Sequence, residues 1–255
     1  MPRDAKLCYG WPMTRHIGIH QYSVEGAVLC YHEMLLEGQR RLGEHDHPLI
    51  TVSGLAMAPT LPELDRKDYR SLRARTAEVV DRLAAAGADF FCCPDNSIHI
   101  AFESGEPDFA IPCLHIAEVV ADRAAQRGFR KVGILGTSWT MEGPVYPRAL
   151  ETRGIGWAVP AANTRTELHR IIMEELCLHR FEPSSVDFYR SAIEALKADG
   201  CDSVALVCTE IPLIVSDSNS ALPVLDSTRL LAHAAVDVAL GDRPLPTWRG
   251  GPVQG

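Results

Sequence analysis

The chain has 255 residues, 46% of them hydrophobic and 23% charged, with a formal net charge of −8. That is enough apolar material for one large or two small cores, and the acidic balance gives no basic footprint for nucleic acid. No apolar run approaches the roughly 20 residues that cross a bilayer, and the start MPRDAKLCYGWPMTRH lacks the apolar stretch of a secretory signal.

A cytoplasmic protein with reduced thiols is therefore expected. Cys30, Cys92, Cys177 and Cys208 sit inside apolar patterned segments, where cysteine behaves as a small buried hydrophobe, and no CxxC spacing suggests zinc or a redox pair.

The first 14 or so residues carry two prolines and little periodicity and read as an arm. HIGIH (16–20) predicts a short strand and QYSVEG a turn, followed by a helix over AVLCYHEMLLEGQRRL. HPLITVSGL predicts a second strand. SLRARTAEVVDRLAAAGA predicts an amphipathic helix stopping at Gly87, which leads into the strand ADFFCC.

A second cycle follows. LHIAEVVADRAAQRGF predicts a helix, KVGILG a buried strand and TSWTMEG a turn. RTELHRIIMEELCLHR and SVDFYRSAIEALKADG predict two more helices, SVALVC a strand and STRLLAHAAVDVAL a last helix. The Pro/Gly-rich tail GDRPLPTWRGGPVQG reads as mobile.

Strands alternating with helices imply βαβ crossovers and mainly parallel sheets in an α/β fold. The pattern also repeats loosely: AAGADFFCCPDNS stands opposite KADGCDSVALVCTEIP, each a helix end, a hydrophobic strand and a polar turn. In open α/β sheets ligands bind at the carboxyl ends of strands, which places a site at these two turns.

In VCTEIP (207–212), Cys208 ends a strand where backbone N–H groups and dipole favour a thiolate. Alone it would read as a buried cysteine closing a strand. His99 follows the first turn within reach of Asp95, either orienting it or simply starting a helix. Ser23, in SVEG, either helps bind a substrate carboxylate at a helix start or merely caps that helix. His45-Asp46-His47 offers two ligands with no third partner in sequence, so it reads as a solvated loop and no metal is expected. No dinucleotide or P-loop signature accompanies the glycines.

Taken together, PDNS, VGILGT, VCTEIPLIV and LPVLDSTRLLA, in that order along the chain, resemble the aspartate/glutamate/hydantoin racemase superfamily over roughly Ile17 to Leu240. The resemblance implies two pseudo-symmetric α/β domains, each with a mainly parallel central sheet flanked by helices, and the active site in the cleft between them. Residues 1–115 plus 225–255 would form one lobe, its C-terminal helix packing back, and 116–224 the other. It implies a cofactor-independent amino-acid racemase or epimerase in which one base from each half flanks the α-carbon.

Carried over by position, Asp95 and Cys208 are the acid/base pair. Asn96, Ser97, Thr137 and Thr209 grip a carboxylate, and Glu210 faces or orients the substrate amine. Where the family has a first cysteine this chain has Asp95, so a symmetric two-thiol mechanism is ruled out. Cys93 is not an obvious substitute, because neighbouring strand positions point to opposite faces and Pro94 intervenes.

Two alternatives remain open at this point. One is a single-cysteine decarboxylase or cis-trans isomerase of a small carboxylic acid; the other is a non-catalytic binding protein of the same fold. Side-chain specificity is expected to lie in the arm and in segment 55–68. The partner is a small-molecule amino acid or carboxylic acid, and a homodimer is expected from the way such relatives pair.

Overall fold

The computed structural model describes residues 14–253; the expected arm lies almost wholly outside them. Along the chain run β1 (Ile17–Gln21), α1 (Val24–Leu42), β2 (Ile50–Gly54), α2 (Leu61–Asp65), α3 (Tyr69–Ala85), β3 (Phe90–Cys92), α4 (His99–Phe102), β4 (Cys113–Leu114) and α5 (Ile116–Gln126). Then come β5 (Lys131–Gly136), α6 (Ser138–Met141), α7 (Val145–Glu151), β6 (Gly156–Ala158), α8 (Ala162–Glu174), α9 (Pro183–Ala198), β7 (Ser203–Val207), β8 (Val224–Asp226) and α10 (Ser227–Leu240).

The strands make two four-stranded parallel sheets of identical plan, β2-β1-β3-β4 and β6-β5-β7-β8. Ile17 pairs with both Ile50 and Phe90, and Val132 to Gly136 pair with Ser203 to Val207. This is the α/β fold of two pseudo-symmetric halves that the sequence predicts.

Equivalent helices start alike. Ser23 caps α1 after β1, its hydroxyl accepting from Gly26 N–H, and Thr137 caps α6 after β5, accepting from Thr140 N–H. Asp226 and His115 cap α10 and α5 after the two edge strands. Each cap satisfies a helix-end donor that would otherwise lack a partner.

Burial follows the period-2 geometry of a strand. Phe90 and Cys92 join Ile17, Ile19, Met34 and Leu231 on one face of the first sheet. Phe91 and Cys93 join Leu72, Val79 and Phe102 on the other. The last helix, α10, packs its alanine-rich face against this first sheet and α1, although it follows the second sheet in sequence. Within α5, Ile116 and Val119 enter the first core while Val120 and Ala124 enter the second.

Three expectations are corrected, and three short strands come in addition. TSWTMEG is not a plain turn: Thr137 nucleates α6, and α7 follows after Pro144. The helix expected over 165–180 stops at Glu174; a 3-10 turn over Leu176–Leu178 and a left-handed His179 (φ +57°) follow. Buried Ile172 and Leu176 keep the helical spacing across this break, which hides it from a count of apolar positions. The strands β4, β6 and β8 are only two or three residues long, too short to show a period.

The tail is not free either. Cys113 N–H donates to the Trp248 carbonyl (2.7 Å), Gly251 N–H to the Phe102 carbonyl (2.9 Å), and the Asp108 and Phe109 N–H groups to Arg249. Gly250, at φ +90°, is pressed so close to Arg73 and Phe109 that a Cβ would lie 2.5 Å from one and 2.9 Å from the other. The hydrogen bonds of Trp248, Arg249 and Gly251 tie residues 248–251 to the first half of the fold.

Candidate active site

The carboxyl ends of β3 and β7 face one cleft of roughly 630 Å³, open mouth included, and Asp95, Asn96, Ser97, Thr137, Cys208, Thr209 and Glu210 line it with Ser23. β3 and β7 hold the same place in their two sheets, so Asp95 and Cys208 come from matching halves of the fold.

Asp95 lies at the start of the long helix α1. Ser23 N–H donates to Asp95 Oδ2 (3.0 Å), while the Ser23 hydroxyl is engaged with Gly26. Burial raises the Asp95 pKa from 3.8 to about 6; the Ser23 donor opposes this, and the charge of Glu210 adds to it.

Cys208 shows part of its surface to the cleft, and its thiol donates to Glu210 Oε2 (2.8 Å). Burial and the adjacent Glu210 charge push this thiol well above its ordinary range. At neutral pH the pair therefore rests as carboxylate and thiol. That is one proton acceptor and one proton donor.

A cluster of hydroxyls forms the floor between them. Ser97 Oγ lies 2.8 Å from both Thr137 Oγ1 and Thr140 Oγ1, joining the first-lobe turn to the α6 cap. Among the described residues no backbone carbonyl takes up the N–H groups of Asn96, Ser97 or Thr209. Hydroxyls and N–H groups of this kind suit a substrate carboxylate and the extra charge it acquires on deprotonation.

The Asn96 side chain is otherwise employed. Its amide nitrogen donates to Ser227 (3.1 Å) and to the Pro94 carbonyl, and its oxygen accepts from Tyr146. It braces three segments, and the side-chain grip on substrate expected of it has no free polar atom behind it.

His99 is corrected outright. It is fully buried beside Phe102 and His115, and its Nε2 bonds the Cys93 carbonyl (3.1 Å), so it does not touch Asp95. Burial lowers its pKa and keeps the ring neutral. Cys93 likewise points into the core, 3.5 Å from His20 Nδ1, and is absent from the cleft lining. In the 43–49 loop His47 bonds the Pro48 carbonyl, and no cluster able to hold a metal occurs among the described residues.

The two halves touch tightly beside the Cys208–Glu210 turn. A Cβ on Gly26 of α1 would lie 2.6 Å from Thr209 Cγ2, so only glycine lets the first-lobe helix approach the second-lobe turn this closely. At the mouth, Trp139 Nε1 donates to Asp65 (3.2 Å) and His179 lies 3.6 Å from Glu25.

Several lining residues have no readable motif: Tyr22, Glu25, Trp139, Met173 and Cys177. Cys177 reaches the cleft because the chain breaks its helix at Glu175; burial, then the charge of Glu210, pushes its thiol up to about 12. Met57, Leu61 and Leu64 lie within the segment where specificity residues were expected.

A family model described as Asp/Glu/Hydantoin racemase matches residues 25–235. The chain belongs to this family. Its fold superposes with a TM-score of 0.81 on a candidate Asp/Glu racemase from Yersinia pestis, at 31% identity over 89% of this chain and 99% of that one. An aspartate racemase homologue from Pyrococcus horikoshii shares the fold with a TM-score of 0.75, at 24% identity over 88% and 99%. The broad specificity amino-acid racemase RacX of Bacillus subtilis is 22% identical over 176 residues, which is 68% of this chain and 74% of RacX. This Asp/Glu/hydantoin racemase family member is an isomerase of the amino-acid racemase type. No helix among its described residues is long and apolar enough to cross a membrane.

Proposed function

We propose that the protein inverts the α-carbon of a free amino acid without a cofactor, using Asp95 and Cys208 as its two proton-transfer groups. The observation that carries this reading is the placement of both on matching strand ends around one cleft.

The Asp95 carboxylate takes the α-hydrogen as a proton. The electron pair left on carbon spreads into the substrate carboxylate, held by the Ser97–Thr137 hydroxyls. The Cys208 thiol then protonates the opposite face, leaving Asp95 protonated and Cys208 as thiolate. Solvent exchange or the reverse reaction restores the resting pair.

This pair is unlike, yet enantiomers are isoenergetic. The ratio of kcat/KM for the two must therefore be one at every pH, and the asymmetry appears only in the separate kcat and KM values.

The single-cysteine alternative acting on a small diacid fits less well. Glu25, Asp95 and Glu210 line the cleft, and no Lys, Arg or His does among the described residues. A dianionic malonate or maleate would enter this field unpaired.

The test is α-hydrogen exchange in D₂O, followed by NMR for both enantiomers of each amino acid, with Cys208→Ser and Asp95→Asn alongside. Exchange from both enantiomers that is lost in both variants is the expected result. Turnover that needs Cys208 but survives Asp95→Asn would remove Asp95 from the pair and return the one-sided lyase or isomerase.

A further inference from the structure

We infer that the substrate of this site, granted the racemase reading above, is an amino acid with an uncharged, apolar side chain of medium to large size, and not aspartate or glutamate. Beyond the polar floor the cleft is walled by Met57, Leu61 and Leu64 from one lobe and by Trp139, Ile172 and Met173 from the other. These come from α2 and the loop before it, from α6 and from α8, with the α2 side of the wall tied across to α6 by the Asp65–Trp139 hydrogen bond.

Charge decides the class. Three carboxylates line the cleft, and among the described residues no cation does. The α-ammonium and α-carboxylate of a bound amino acid have partners in Glu210 and the hydroxyl floor. A second carboxylate on the side chain would have none, and burying an unpaired charge is strongly unfavourable.

A basic side chain needs an anion at its far end. Glu25, the lining carboxylate left over, is 38% exposed, so solvent screens its charge and it repays little of the cost of burying a lysine or arginine head. An apolar side chain such as that of methionine, leucine or phenylalanine instead meets thioether, aliphatic and indole surface along its whole length, which is the composition of a site built on burial.

The experiment measures kcat/KM for α-hydrogen exchange in D₂O on the full-length protein with methionine, leucine, phenylalanine, lysine, arginine, aspartate and glutamate. Met173→Arg is measured in parallel; Met173 is only half-buried, so the longer cation has room. An apolar amino acid is expected to exceed aspartate and glutamate by about 100-fold or more, since a site rejects a group it leaves unpaired by large factors. In Met173→Arg that ratio should fall by about tenfold or more.

Exchange of aspartate, glutamate, lysine or arginine within about tenfold of the best apolar substrate overturns the inference and leaves the racemase reading standing. A ratio untouched by Met173→Arg overturns the placing of the side chain against this wall. Absence of exchange with every amino acid overturns the racemase reading itself and the inference with it.

Discussion

Replacing Asp95 by asparagine should abolish exchange and stabilise the fold. A carboxylate whose pKa rises from 3.8 to about 6 on folding is more costly to ionise in the native state than in the unfolded chain. Below about pH 4 the group is protonated in both states and contributes nothing. As pH rises through the window from 3.8 to 6 the unfolded state releases its proton first, so stability falls. Above about pH 6 the full penalty remains, close to 3 kcal/mol by linkage.

Asparagine keeps the shape and still accepts from Ser23 N–H, but carries no charge. Its stability advantage over the parent protein should be about 3 kcal/mol at pH 8 and about 1 kcal/mol at pH 4.5. Urea unfolding at the two pH values reads this difference, with the slope m checked for constancy between the proteins. An advantage that does not change between pH 4.5 and pH 8 would refute the raised pKa and, with it, the account of Asp95 as a base tuned by burial.

Three further outcomes follow from the same geometry. Glu210→Gln removes a charge that raises both catalytic pKa values, so the acid limb of kcat/KM should move below about pH 6 and Cys208 should alkylate faster at pH 8; unchanged alkylation at Cys208, read by mass spectrometry, contradicts this. Gly26→Ala sets a methyl 2.6 Å from Thr209 Cγ2, and the displaced turn should lower kcat by about tenfold or more while circular dichroism shows the helix intact. Trp248→Ala strips the tail of the ring that packs at a tilt against His115, centroids 4.7 Å apart; a loss of about 2 kcal/mol in urea with unchanged turnover is expected, and no loss would make the docked tail incidental to stability.

The doubled plan of the fold was legible because its two cycles repeat the same local chemistry. A helix end, a hydrophobic strand and a polar turn recur in AAGADFFCCPDNS and KADGCDSVALVCTEIP, the segments that hold β3 and β7. The turns PDNS and VCTE could be placed together because both end central strands. His99 was not legible: a histidine just past a turn looks the same in sequence whether its ring rises into a cleft or sinks into a core. Here α4 carries it inward, against Phe102.

Asn96 sits where a substrate-binding amide would, and only the folded contacts show its side chain spent on Tyr146 and Ser227. Cys177 was hidden by an apolar spacing that continues through a helix break. The tail misled for a related reason: its prolines and glycines suggest freedom, yet Gly250 is there because nothing larger fits against Arg73 and Phe109.

The position of α10 bears on how the chain can be made. The first sheet is complete in sequence by Leu114, but the hydrophobic face formed by Ile17, Ile19 and Phe90 is covered in part by a helix more than a hundred residues later. During synthesis that face must wait until the ribosome has released residues 227–240 before it can be sealed. An early fragment would carry an unfinished, adhesive surface, so the first half of this protein has to borrow the end of the chain before it can be native.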